Sequence, residues 1–161
     1  MKKIEVYYDG CCEPKNPGGN AGFGAVIFQY NGREKKKIKE ISKYWPEKET
    51  NSNNVAEYLG LISALEWLIE EGYDASEIIF YGDNMMSVRQ MNGQWRAKKG
   101  MYLPLYEKAI KLKENFVDLK FEWIPREQNE IADKLSKEQL KKKGVELRIQ
   151  PEGVECGIKC D

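Results

Sequence analysis

The sequence predicts an α/β fold built on a five-stranded mixed sheet with helices on both faces. Three observations predict it. The first 43 residues hold three strand-like runs joined by turn signals and no helical period. After them, apolar helical stretches alternate with short β-branched or aromatic runs. The hairpin signal Asn31-Gly32 makes the second and third strands antiparallel neighbours. A meander followed by α/β alternation gives a mixed sheet covered by helices.

The elements follow in the order β-β-β-α-β-α-α-β-α. Ile4 to Tyr8 is β-branched and aromatic without clean alternation, as a central strand buried on both faces should be. Asn16-Pro17-Gly18-Gly19 turns the chain into a second strand, Gly22 to Tyr30. Glu34 to Lys43 returns as the third, and its Lys35-Lys36-Lys37 run suits an exposed segment. Val55, Tyr58, Leu59, Ile62, Leu65 and Ile69 stand at helical spacing in Asn54 to Glu71, and Gly72 stops the helix. A fourth strand ends at Tyr81, followed by a short helix from Asn84 to Met91. A helix from Leu103 to Asn115, a strand from Leu119 to Ile124 and a helix from Gln128 to Lys143 complete the pattern.

A chain of 161 residues is one domain by length and long enough for a sound core. We assign residues 1–145 to it and 146–161 to a cysteine-containing tail. Its 26 basic and 26 acidic residues cancel, but their distribution is uneven. Seven basic residues stand against Glu107 alone between Arg89 and Lys113, and five lysines against Glu138 between Lys134 and Lys143. A basic face on a neutral protein is the footprint expected for nucleic acid, with a solvated helix face as the plain alternative. No apolar stretch reaches membrane-spanning length, and Met1-Lys2-Lys3 leads into a strand, so a cytoplasmic enzyme without membrane contact is the expectation.

The chain contains no histidine, which removes the usual general base. Chemistry then falls to carboxylates, metal-bound water or cysteine. Asp9, Glu57, Asp83 and Asp133 each stand at a strand end or helix start, where side chains are displayed rather than buried. Carboxylates so placed can converge although far apart in sequence. Such a cluster repels itself unless hard cations hold it together, and its oxygen ligands suit Mg2+.

The motifs around these acids carry a resemblance. Tyr8-Asp9-Gly10, Asn16-Pro17-Gly18-Gly19, Gly22-Phe23-Gly24 and Asn53-Asn54-Val55-Ala56-Glu57-Tyr58 resemble the front half of type 1 ribonuclease H. Gly82-Asp83-Asn84, Met91-Asn92-Gly93 and Asn129-Glu130-Ile131-Ala132-Asp133 resemble its back half, so the likeness runs to about Lys143. It implies hydrolysis of the RNA strand of RNA–DNA hybrids by a monomer using two Mg2+ ions, with Mn2+ as an alternative. It also implies products bearing a 5′-phosphate and a 3′-hydroxyl. By the family's arrangement Asp9 would bridge the ions, Glu57 and Asp83 would complete the leaving-group ion, and Asp133 would hold the ion serving the attacking water.

Substrate contacts carry over to Gly10, Asn16, Asn53, Asn54 and Asn84. An enzyme of this class must sense the 2′-hydroxyl. Met85 stands where many relatives have a polar residue, and so offers apolar contact only. Trp95, with Arg96, Lys98 and Lys99, would serve the DNA backbone; the alternative is a packing role.

The chain departs from many relatives in three ways. The segment before the last motif, Trp123-Ile124-Pro125-Arg126-Glu127, is short and lacks the usual histidine, a form shared with archaeal-like members. Arg126 is the candidate substitute, able to assist the scissile phosphate but not to shuttle protons near neutral pH; the alternative is a surface arginine capping local carbonyls. The basic protrusion of bacterial members is missing, and a separate hybrid-binding domain before Met1 is not expected.

Cys11, Cys12, Cys156 and Cys160 are candidate disulfide partners that would tie the tail to the loop beyond Asp9. Idle thiols are the alternative, and adjacent cysteines fit a tetrahedral zinc site poorly. Two rival functions stand beside the main one: a broader nuclease that also cuts double-stranded RNA, and a non-catalytic nucleic-acid-binding domain.

Overall fold

The structure, a computed structural model, describes residues 1–148. Strands β1 (Lys3–Glu13), β2 (Asn20–Asn31) and β3 (Glu34–Trp45) lead into helix α1 (Asn53–Glu70). Strand β4 (Glu77–Gly82), helices α2 (Met85–Met91) and α3 (Leu103–Lys113), strand β5 (Asp118–Trp123) and helix α4 (Glu130–Lys142) follow. The sheet order is β3-β2-β1-β4-β5, with β1 at the centre. The β1–β2 and β2–β3 pairs are antiparallel, and β1–β4 and β4–β5 are parallel. The expected five-stranded mixed sheet and its antiparallel meander are present.

Strand β1 is longer than its apolar run suggests. Tyr8 pairs with Gly82 at the last step of the parallel ladder, but the antiparallel ladder continues from Asp9 opposite Gly24 to Glu13 opposite Asn20. Asp9 therefore lies inside a strand rather than at its end. The last helix also differs from expectation: a 3-10 turn at Arg126–Gln128 precedes it, and α4 starts at Glu130. Asp133 remains in its first turn.

Glycines let the two long helices lie on opposite faces of this sheet. A Cβ at Gly10 would meet the carbonyl carbon of Ala56 at 2.2 Å, so the start of α1 lies directly on β1. Further along α1, a Cβ at Gly60 would lie 2.8 Å from the Asp9 carbonyl oxygen. On β2, a Cβ at Gly22 would meet Ser136 O at 2.1 Å, and one at Gly24 would meet Leu135 Cβ at 2.6 Å, both on α4. Gly10 pairs with Phe23, whereas Gly22 and Gly24 have the opposite parity on β2, so α1 and α4 take opposite faces.

The core lies between β1, β4 and α1. Ile4, Val6, Leu61, Leu65, Leu68, Ile78 and Phe80 are fully buried in it, each aliphatic side chain contributing about 1.5–3 kcal/mol of transfer free energy. Ser52 caps α1, its hydroxyl accepting from Val55 N at 3.1 Å. Among the described residues no helix is long and apolar enough to cross a membrane.

Replacing Gly22 with Ala should push α4 off the sheet and lower stability by about 1–3 kcal/mol, measured by denaturant unfolding. Gly32 has a φ of +67°, and a Cβ added there would meet nothing within 4 Å. Gly32→Asn, which keeps the left-handed turn, should therefore shift stability by less than about 1 kcal/mol.

Candidate active site

Three of the four acids converge. Asp9, Glu57 and Asp83 each offer a carboxylate oxygen, and these oxygens lie within 4.8 Å of one another. The elements dictate this meeting. Asp9 and Asp83 each follow one residue beyond the parallel pair Tyr8–Gly82, which sets them side by side. The close seat of α1 on Gly10 then delivers Glu57 from above. The end of β4 is seated on the Tyr8 ring, because a Cβ at Gly82 would lie 2.5 Å from Tyr8 Cζ. Trp123 Nε1 donates to the Asp83 carbonyl at 3.1 Å, and Ile124 N donates to Gly82 O at 3.0 Å.

The expectation that these side chains are displayed is corrected by their burial. Asp9 is 1 % exposed, and Glu57 and Asp83 are 0 % exposed. Glycine-mediated helix–strand contact closes over them, so their charges meet in a poorly solvated pocket. Three carboxylates there repel one another strongly. An all-oxygen, anionic donor set of this kind fits a hard divalent cation of the Mg2+ or Mn2+ type.

The surroundings record the same negative field. Tyr8 is fully buried, its hydroxyl 2.8 Å from Ser87 Oγ. Burial, with further contributions from the charges of Glu57, Asp83 and Asp9, pushes its phenol pKa well above the usual value.

Asp133 lies outside the three-carboxylate group. Lys137, one helical turn on, places Nζ 3.1 Å from both Asp133 oxygens, and Arg126 approaches Oδ1 at 4.0 Å. The start of α4 is tied to the site by Asn129, whose Nδ2 donates to the Tyr8 carbonyl at 2.9 Å. Asp133, Arg126 and Lys137 line a cleft of about 210 Å³ with Cys11, Asn53 and Arg148.

The asparagines form two hydrogen-bonded pairs, Asn16 with Asn53, both half-buried, and Asn84 with Asn54, both buried. Asn16 Oδ1 accepts from Asn53 N at 3.0 Å, and Asn53 Oδ1 accepts from Cys12 N at 2.8 Å. Asn84 Nδ2 donates to Asn54 Oδ1 at 3.0 Å, while Asn84 Oδ1 caps α2 by accepting from Ser87 N. Met85 is half-buried at the start of α2, and Trp95 is 48 % exposed. Gly10 is buried beneath α1.

Cys11 and Cys12 are buried thiols donating to Ser136 O and Lys15 O. Cys156 and Cys160 lie outside the described residues. The start of the assigned tail is held at Arg148, which pairs with Glu13 Oε2 at 3.0 Å and donates to Cys12 O at 2.7 Å.

Sequence reasoning missed Tyr8, Asn51, Asn129 and Lys137 as parts of this site. Lys137 was findable, since an acid and a lysine four residues apart on one helix meet. Asn51 carries no motif signal, because its Gly18 and Gly19 partners stand on a loop remote in the chain.

An antiparallel meander feeding a parallel pair, with buried carboxylates where β1, α1 and β4 meet, defines an α/β domain of the ribonuclease H type whose acidic triad fits a divalent cation. Residues 7–139 match the family model described as reverse transcriptase-like. Ribonuclease H of Acetivibrio thermocellus is 31 % identical over 157 residues, covering 88 % of this chain and 97 % of that protein. A bifunctional protein of Mycobacterium tuberculosis is 36 % identical over 138 residues, or 86 % of this chain. The chain spans 35 % of the length of that mycobacterial relative. Among solved structures, LC11-RNase H1 in complex with an RNA/DNA hybrid superposes with a TM-score of 0.75 at 35 % identity, covering 87 % of this chain and 98 % of that one. The chain belongs to the ribonuclease H family.

Tyr8, and Tyr81, pushed up to about 12 chiefly by burial, keep their protons in the folded state at pH values where an unfolded tyrosine ionises. Their stabilising contribution is whole below the unfolded pKa of about 10 and is lost as pH rises through the folded values. Thermal unfolding should therefore show stability falling from about pH 10 upward, and Tyr8→Phe should shallow that fall.

Proposed function

We propose that this protein hydrolyses the RNA strand of RNA–DNA hybrids using divalent cations held by its carboxylates, leaving 5′-phosphate and 3′-hydroxyl ends. The supporting observation is the convergence of Asp9, Glu57 and Asp83 in a buried pocket. Charge repulsion makes that arrangement a poor structural core and a good cation site. Asp9, Glu57 and Asp83 would hold the cations from β1, α1 and the end of β4, and Asp133 would join them from α4. Mg2+ is the expected ion and Mn2+ the alternative. When bound, such a pair of cations activates the attacking water and stabilises the charge that develops on the leaving oxygen.

The rest of the task falls to the chain itself. Burial of the three acids holds their carboxylates in place before substrate arrives, so little reorganisation is needed at the reacting phosphate. Arg126, on the 3-10 turn at the cleft, supplies fixed positive charge to a phosphate. Asn16, Asn53, Asn54 and Asn84, with Met85 and the backbone at Gly10, form the wall that faces the RNA strand. Their amides suit recognition of the 2′-hydroxyl. Trp95 and the exposed Arg96, Lys98 and Lys99 serve the opposing DNA backbone.

The test offers end-labelled RNA–DNA, RNA–RNA and DNA–DNA duplexes with Mg2+. The wild type should cut the RNA of the hybrid and leave DNA–DNA intact, and both chelation of divalent ions and Asp83→Asn should abolish the cut. No cleavage of the hybrid would reject this function. Equal cleavage of duplex RNA would replace it with a broader ribonuclease.

A further inference from the structure

Beside the carboxylates, one buried amide joins the β1–β2 loop to the β3–α1 connection. Asn51 directly precedes the cap of α1 and is 1 % exposed. Its Nδ2 donates to Gly19 O at 3.0 Å, on the β1–β2 loop, and to Pro46 O at 2.9 Å, on the β3–α1 connection. Its backbone N–H donates to Lys48 O, and its carbonyl accepts from Gly18 N, each at 2.9 Å. The buried Oδ1 accepts no hydrogen bond from the described residues, so the position uses the donor half of the amide. Both acceptors are carbonyl oxygens. An aspartate of the same shape would offer them no donor, and serine would offer one.

This clamp acts on the two asparagines that flank it in space. Asn16 sits on the loop that Asn51 holds, and Asn53 stands two residues beyond Asn51 at the start of α1. Their mutual bond, Asn53 N to Asn16 Oδ1, spans the same two segments. Asn53 also lines the cleft that contains Asp133 and Arg126. Both Nδ2 donors of Asn51 are taken by backbone carbonyls, so its part is to hold the wall rather than to meet the strand.

We propose that Asn51 is a positioning residue for the RNA strand: by tying the β1–β2 loop to the N-terminus of α1, it sets the spacing of Asn16 and Asn53 on the strand-facing wall. This role rests on the hybrid-cleaving function proposed above.

The test compares steady-state kinetics on a labelled RNA–DNA hybrid with Mg2+ for wild type, Asn51→Ser, Asn51→Asp and Ile78→Val. Ile78 is buried in the core on β4, paired with Ile4 of β1 and Leu119 of β5, so Ile78→Val controls for a general loss of stability. Loss of one or both donor bonds should raise KM by about tenfold, with kcat within about threefold of wild type. Ile78→Val should leave KM within about twofold. Hybrid affinity, measured by fluorescence anisotropy in an Asp83→Asn background, should weaken by the same factor as KM rises. Mn2+ affinity by calorimetry should not move, because Asn51 contacts no carboxylate of the site. If Asn51→Ser does not fold, Asn51→Thr, with one donor and more volume, takes its place. An unchanged KM in a folded variant, or an equal rise in Ile78→Val, would overturn the role. A wild type that neither binds nor cleaves the hybrid would instead remove the function on which the role rests.

Discussion

The close seating of α1 on β1 is the constraint on which the rest of the structure depends. Two backbones approach so nearly that neither Gly10 nor Gly60 has room for a methyl group. That contact lets a helix deliver Glu57 to a strand residue, Asp9, without a loop between them. A site carried on two regular elements is held more rigidly than one carried on loops. The parallel register of β4 adds Asp83 to the same point, and the Tyr8 ring under Gly82 fixes the height of that strand end.

This rigidity carries an electrostatic cost. Packing energy from α1 and β4 holds three like charges together in a poorly solvated pocket. A divalent ion would relieve the repulsion, so cation binding and fold stability should be coupled. Asp133 stands apart in this respect. Its charge is already met by Lys137 and Arg126 on the rim of the cleft, in a half-buried and better solvated place. The four acids therefore form a buried group of three and a rim acid rather than one uniform cluster.

Around the acids, polar side chains hold the shape of the cleft by bonding across elements. Asn129 ties α4 to β1, Asn84 ties α2 to Asn54, and Asn51 ties two loops to α1. Each of these amides is buried, and each adds a polar tie between segments. The asparagine-lined surface is thus set by hydrogen bonds, while the acids are set by packing. Tyr8 belongs to both systems, with its ring in the core and its hydroxyl bonded to Ser87.

The sequence by itself determined the order of the elements, the central place of β1 and the identity of the acids. These follow from local patterns: β-branched runs, the Asn31-Gly32 turn, helical spacing in α1, and short motifs around each carboxylate. Local pattern could not show that Asp9 lies within a strand, because its ladder beyond Tyr8 depends on where β2 begins. Nor could it show that Asp9, Glu57 and Asp83 are buried, since a charged residue at an element boundary ordinarily faces water. Burial there arises only when α1 settles onto a glycine of another strand. The separation of Asp133 from the other three, its pairing with Lys137, and the clamp at Asn51 were likewise decided by tertiary structure. Each depends on distances between segments that are remote in the chain, and packing alone sets those distances.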